Sequence, residues 1–169
     1  MSTLKIHGYS VRYPKGIAKK KFEEIMTYDM SKIRQYLMAN DHLTQSYTKM
    51  LEVEWKKFVT AIFMNEGKEI TITAPLDTFA HAIVLHTTEY KDFCENVLGM
   101  YIHHYPTHSE AERVALIPYF KKVTYPLLKR LFGKEGLNPE LWNEKQTICN
   151  SCGFGCVNEF EKETGLQFA

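Results

Sequence analysis

The sequence predicts an all-α fold: a compact, bundle-like helical domain with at most one short strand or extended segment near residues 69–73. Three observations carry this reading. Apolar residues return at three- and four-residue steps along most of the chain. The segments they mark are bounded by capping residues, glycines and prolines. The β-branched run Ile70-Thr71-Ile72-Thr73 is too short to found a sheet protein. A chain of 169 residues fits one domain. At that size roughly 70% of the unfolded surface can be buried, so folding needs neither disulfides nor a structural metal. Residues 1–148 are read as the helical domain and 149–169 as a Cys- and Gly-containing tail.

The elements follow in order. After the punctuation at Pro14 to Gly16, Phe22, Ile25, Met26, Ile33, Tyr36 and Leu37 recur at helical spacing, with a break or new cap near Asp29 to Ser31, giving one broken helix or two. Asn40 or Asp41 is placed to cap the next segment. There Leu43, Tyr47, Met50, Leu51, Trp55, Phe58, Val59 and Ile62 form one apolar stripe that stops at Asn65-Glu66-Gly67. Pro75 suits the first turn of a helix over Leu76 to His86. Thr87 caps a second helix that Gly99 ends, so the two form a tight pair. Met100 to Thr107 reads as a loop. Ser109 then caps a long segment from Val114 to Leu131, which Pro118 and Pro126 should kink.

Composition excludes several function classes. Lys and Arg number 21 against 20 Asp and Glu, a net charge of +1, which is not the positive field of a general nucleic-acid binder. The basic run Lys19-Lys20-Lys21 is balanced by Glu23 and Glu24 and reads as a solvated helix face. The opening MSTLKIHGYS lacks the apolar core of a secretory signal. No stretch approaches the roughly 18 to 20 apolar residues needed to span a bilayer. The expectation is a cytoplasmic protein without membrane or nucleic-acid partners.

Chemistry concentrates between residues 75 and 106. Asp77 and His81 are four apart on one predicted helix, and Tyr90 and Cys94 are four apart on the next, so each pair shares a face. The short turn between the helices can bring the pairs together, and His103 and His104 return on the following loop. An Asp, one or two His and a Cys converging in this way suit a transition metal such as zinc or iron, and three protein ligands leave a position for water or substrate. Asp77, His81, His103 and His104 are therefore the expected metal ligands, with Tyr90 and Cys94 lining the junction. Each residue also has a plainer role. Asp77 suits a helix N-terminus, His81 a core edge, and Tyr90 and Cys94 ordinary packing.

The stretch PLDTFAHAIVLHTTEYKDFCENVLGMYIHHYP resembles the signature of the glycine-rich domain-containing protein-like family. That pattern runs Asp, three residues, a Trp-His pair, Thr-x-x-Tyr-x-x-Phe-Cys, Gly and a closing His-His-x-Pro. Asp77, His81, Thr87, Tyr90, Phe93, Cys94, Gly99, His103, His104 and Pro106 fall on it in order, over about a fifth of the chain. Ala80 stands where the pattern has Trp. The resemblance implies a helical domain and brings no established activity with it. Its glycine-rich, Cys-bearing tails are matched in type by CNSCGFGC.

The tail thiols Cys149, Cys152 and Cys156 are one ligand short of a closed zinc or iron–sulfur site, which Cys94 or a histidine would have to complete; the glycine-rich spacing equally suits exposed redox thiols, and a disulfide pair or no defined role are the remaining readings. Two function classes follow. One is a metal-dependent enzyme of unspecified substrate built on His81, His104 and Asp77. The other is a protein-interaction or assembly module, its aromatic-rich surface docking a protein partner while the His cluster locks the helix pair. Ala80 in place of Trp weighs toward the second.

Overall fold

The chain begins with a hairpin that the helical reading did not contain. In the computed structural model, which describes residues 2–143 and the backbone of 148–155, strands β1 (Thr3–Ile6) and β2 (Tyr9–Arg12) pair antiparallel with Ile6 opposite Tyr9. The two-residue turn His7-Gly8 has positive φ at both positions, 51° and 90°. This twist matches that of paired strands, and glycine tolerates it freely. Ile6 and Val11 are buried and fasten the hairpin to the helices.

Helices α1 (Lys19–Thr27) and α2 (Ser31–Asn40) are separate. Asp29 makes the break: its carboxylate accepts the Ser31 amide at 2.9 Å and the Ser31 hydroxyl at 3.0 Å. These hydrogen bonds to its ionised form lower the Asp29 pKa. The cap of α3 (Gln45–Met64) is Thr44, which accepts from the Tyr47 amide at 3.3 Å, not Asn40 or Asp41.

The long helix α3 is buried on every side, not along one stripe. It packs against α1, α2, α4 (Ala74–Leu85) and α7 (Tyr125–Phe132). Trp55, Phe58 and Ile62 are fully buried, and Glu52, Glu54, Lys56 and Lys57 are buried with them. Burial of those charges is tolerable because each is paired. Lys57 Nζ donates to Glu54 Oε1 at 2.6 Å and to the Gly136 carbonyl at 2.7 Å, while Trp142 Nε1 donates to Glu54 Oε2 at 2.7 Å. Trp142 also stacks on Phe58 and Phe120, with centroids 6.2 and 6.4 Å apart.

The second departure from an all-α fold is a three-stranded antiparallel sheet. Strand β3 (Ile70–Thr73) is the extended segment the β-branched run predicts, but β4 (His103–Pro106) replaces the expected loop, and β5 (Ile148–Gly155) lies between them. Phe154 faces Ile70 on one side and His104 on the other. The molecule is thus predominantly helical, and among the described residues five short strands form two sheets. Long-range pairing supplied what single-segment periodicity did not show: β4 and β5 are each stabilised by the other.

Helix α4 leads through His86 into α5 (Thr87–Asp92), which continues as a π-helical turn, Phe93–Leu98. Gly99 ends it in the left-handed conformation at φ 78°, its amide bonded to the Cys94 carbonyl at 2.9 Å. The proline-bearing segment, where a kink was expected, is likewise interrupted by a π-helical turn. Helix α6 (Glu110–Tyr119), capped by Ser109, gives way to a π-helical turn, Phe120–Thr124, before α7, whose first turn holds Pro126.

Candidate metal centre

Two periodicities bring the site together. Asp77 lies in the first turn of α4 and His81 one turn later, so both leave the helix on one face. His81 Nε2 is 3.4 Å from Asp77 Oδ2. Strand β4 supplies His104, whose ring meets that of His81 edge-on at a centroid distance of 5.1 Å. One ligand atom from each of Asp77, His81 and His104 lies within 4.8 Å of the others. Three ligands about 2.1 Å from a tetrahedral ion are about 3.4 Å apart, so the Asp77–His81 edge has a coordinating length and the other edges close by contracting up to about 1.4 Å.

Burial is graded across the triad. Asp77 is 8% exposed, His104 half-buried, and the His81 side chain 52% exposed. Solvent therefore reaches the cluster from the His81 side. Burial lowers the pKa of His104 below that of a free imidazole, the neighbouring His81 adds to this, and Asp77 partly opposes it. The result favours the neutral imidazole that a metal requires.

The adjacent His103 is not a member of this group. Successive residues of a strand point to opposite faces. His103 is exposed, its ring 5.2 Å from that of Tyr101 and 6.0 Å from that of Tyr105. Tyr90 and Cys94 serve the triad indirectly. The Tyr90 hydroxyl donates to the Ile102 carbonyl, and the Cys94 carbonyl receives the amides of Gly99 and Met100. Both buried residues therefore fix the chain entering β4, two to five residues before His104, and neither is among the grouped ligand atoms. Ala80, at the position of the Trp in the resembled pattern, is fully buried in the core beside an exposed His81.

Cys149 and Cys152 lie on the described backbone of β5, with Cys152 opposite Pro106. Their thiols, and Cys156 altogether, lie outside the described residues. The sequence reading missed a second ionic cluster, in which Glu52 is held by Arg34, Lys56 and His7. Its only written trace is Glu52 and Lys56 at i and i+4 within an apolar run, the same spacing as a solvated salt bridge. Among the described residues no helix is long and apolar enough to cross a membrane.

No curated protein and no solved structure matches the chain. The UCP032817-like family model does match, over residues 18–115, a span that contains Asp77, His81 and His104. That span is more than half of the sequence, and the chain is therefore a member of the UCP032817-like family.

Proposed function

We propose that this protein binds one transition-metal ion, zinc or iron, through Asp77, His81 and His104, and that the ion serves a metal-dependent enzyme of a substrate class still to be found. The observation that carries the reading is the grouping of these three ligand atoms within 4.8 Å. One carboxylate and two imidazoles are a donor set for zinc or non-haem iron, and three protein ligands leave coordination positions for water or substrate. The exposed side of His81 provides the approach. A water bound there would be acidified by the ion and become a nucleophile or base near neutral pH. The resemblance to the glycine-rich domain-containing protein-like family belongs to this proposal, since all three residues are among its matched positions.

Elemental analysis of the purified protein is the test. About one zinc or iron per chain, lost on His81→Ala and on His104→Ala, is the expected result. Folded wild-type protein that takes up no zinc or iron when either is supplied would refute it. That outcome would favour an assembly module, a reading supported by the exposed Val114 and Ile117 on α6.

A further inference from the structure

A second cluster of ionisable groups lies where the β1–β2 hairpin, the link between α1 and α2, and α3 meet. Glu52 and Lys56 occupy successive turns of α3, and each is 1% exposed. All three donors of the Lys56 ammonium are engaged: by the Met26 carbonyl at 2.9 Å, the Tyr28 carbonyl at 2.7 Å and Glu52 Oε1 at 2.5 Å. The other carboxylate oxygen, Glu52 Oε2, accepts from Arg34 Nη1 and lies 3.1 Å from His7 Nε2. A pocket of about 260 Å³ opens beside this cluster, and its walls include Lys5, His7, Thr27, Asp29 and Arg34.

The charges around the pocket do not cancel. Lys5, Arg34 and Lys56 face Asp29 and Glu52, leaving one positive charge before any protonation of His7. Glu52 is engaged at both oxygens by the groups just named, and Asp29 already accepts one hydrogen bond from Ser31 at each oxygen, so a cation would meet one part-used carboxylate among three positive groups. Donors, by contrast, are in surplus. Among the described residues, Nη2 and Nε of Arg34 make no protein hydrogen bond, and the Lys5 ammonium makes no ion pair. A buried ionic network contributes less stability than apolar residues of equal volume would, so stability alone is a weak reason for one here. What the network does is hold the Arg34 guanidinium rigidly in the pocket wall, with one edge bound to Glu52 and the rest unused.

We propose that this pocket binds the oxyanion group of a small ligand, a carboxylate or a phosphate, through the unused donors of Arg34, with Lys5 and His7 beside it. Guanidinium presents parallel N–H donors that fit two oxygens of either group. The volume lies just under the range of small-molecule sites, which suits a compact anion or the anionic end of a larger molecule. The turn that places His7 is a positive-φ turn, so the imidazole is carried on a fixed backbone.

Inorganic phosphate and malonate, each compared with chloride at matched ionic strength, are titrated into the full chain and followed by backbone amide NMR. The expected result is saturable shifts at residues 5–7 and 26–29 with at least one of the two anions. The anion that saturates at lower concentration identifies the ligand class. Arg34→Lys keeps a positive charge opposite Glu52 but loses the fork, and should weaken binding about tenfold. His81→Ala should leave it unchanged, which separates this site from the metal centre. Three results overturn the proposal: no saturable shift beyond that of chloride, shifts confined to other residues, or wild-type affinity in Arg34→Lys.

Discussion

Removing one imidazole from the triad probes its purpose with little disturbance of the fold, and His81 is the one to remove. Its side chain is 52% exposed, and its contacts are the 3.4 Å approach to Asp77 and the edge of the His104 ring. Truncation to alanine at so open a position should change stability by no more than about 0.5 kcal/mol, or about 2 °C in a domain of this size. An ion that binds only the native triad adds about 2.7 kcal/mol when its free concentration is one hundred times Kd, raising the wild-type midpoint by roughly 5–10 °C. Loss of a supporting partner alone can weaken a metal site about a hundredfold, and loss of a ligand should do at least as much. The same zinc concentration then contributes only about 0.4 kcal/mol to the variant, a shift of 1–2 °C. Differential scanning calorimetry of chelator-treated protein, with and without zinc, reads both numbers. An equal zinc shift in wild type and His81→Ala, or none in the wild type, would refute the assignment.

Lys57→Met should destabilise the protein by about 3–5 kcal/mol in urea unfolding, because it leaves Glu54 buried with Trp142 as its remaining partner in that network. Combining it with Glu54→Leu should recover part of the loss, and a double variant no better than Lys57→Met would refute the pairing argument. Truncation after Asn143 removes the strand that pairs with both β3 and β4, so the denaturation midpoint should fall by the equivalent of at least about 3 kcal/mol. An unchanged midpoint would show the region to be dispensable. In the metal-free protein, burial holds His104 below the ordinary imidazole value of 6.5, so the unfolded chain takes up this proton first as pH falls. Unfolding free energy should therefore be full above about pH 6.5 and decline below it, and His104→Gln should reduce that slope. Identical slopes in the two proteins would dismiss the burial effect.

How much could be read in the sequence differs by element for physical reasons. Helices announce themselves locally, and Trp55, Phe58 and Ile62 are as buried as their spacing predicts. Of the strand pairings, only those of the larger sheet were hidden. Pairing across β3, β5 and β4 joins residues about 80 and 50 positions apart, so no short window contains it. The hairpin was local and legible: His7-Gly8 is an X-Gly turn of the kind that two-residue hairpins require, flanked by the short runs Leu4 to Ile6 and Tyr9 to Val11. The buried charges were illegible because Glu52 and Lys56 have the same spacing whether water or the protein surrounds them. Their environment is decided by elements that arrive from far along the chain, including the hairpin bearing His7 and the helix bearing Arg34.

The candidate metal centre shows the same division within a single site. Asp77 and His81 are an i, i+4 pair, and a helix alone places them together. His104 required the segment after Gly99 to be a strand, and that choice also separates the two adjacent histidines. In a loop either imidazole has access to the Asp77–His81 pair, whereas in β4 the alternation directs His104 toward α4 and leaves His103 against Tyr101 and Tyr105. The burial follows that alternation: Ile102 and His104 are the less exposed positions, Tyr101 and His103 the exposed ones, a period of two that the residue types Tyr-Ile-His-His do not announce. The Tyr90 hydroxyl and the backbone carbonyl of Cys94 hold the entrance to that strand. The grouping of Asp77, His81 and His104 is therefore specified by one helical turn, one strand register and the Tyr90 hydroxyl and Cys94 carbonyl that precede the strand.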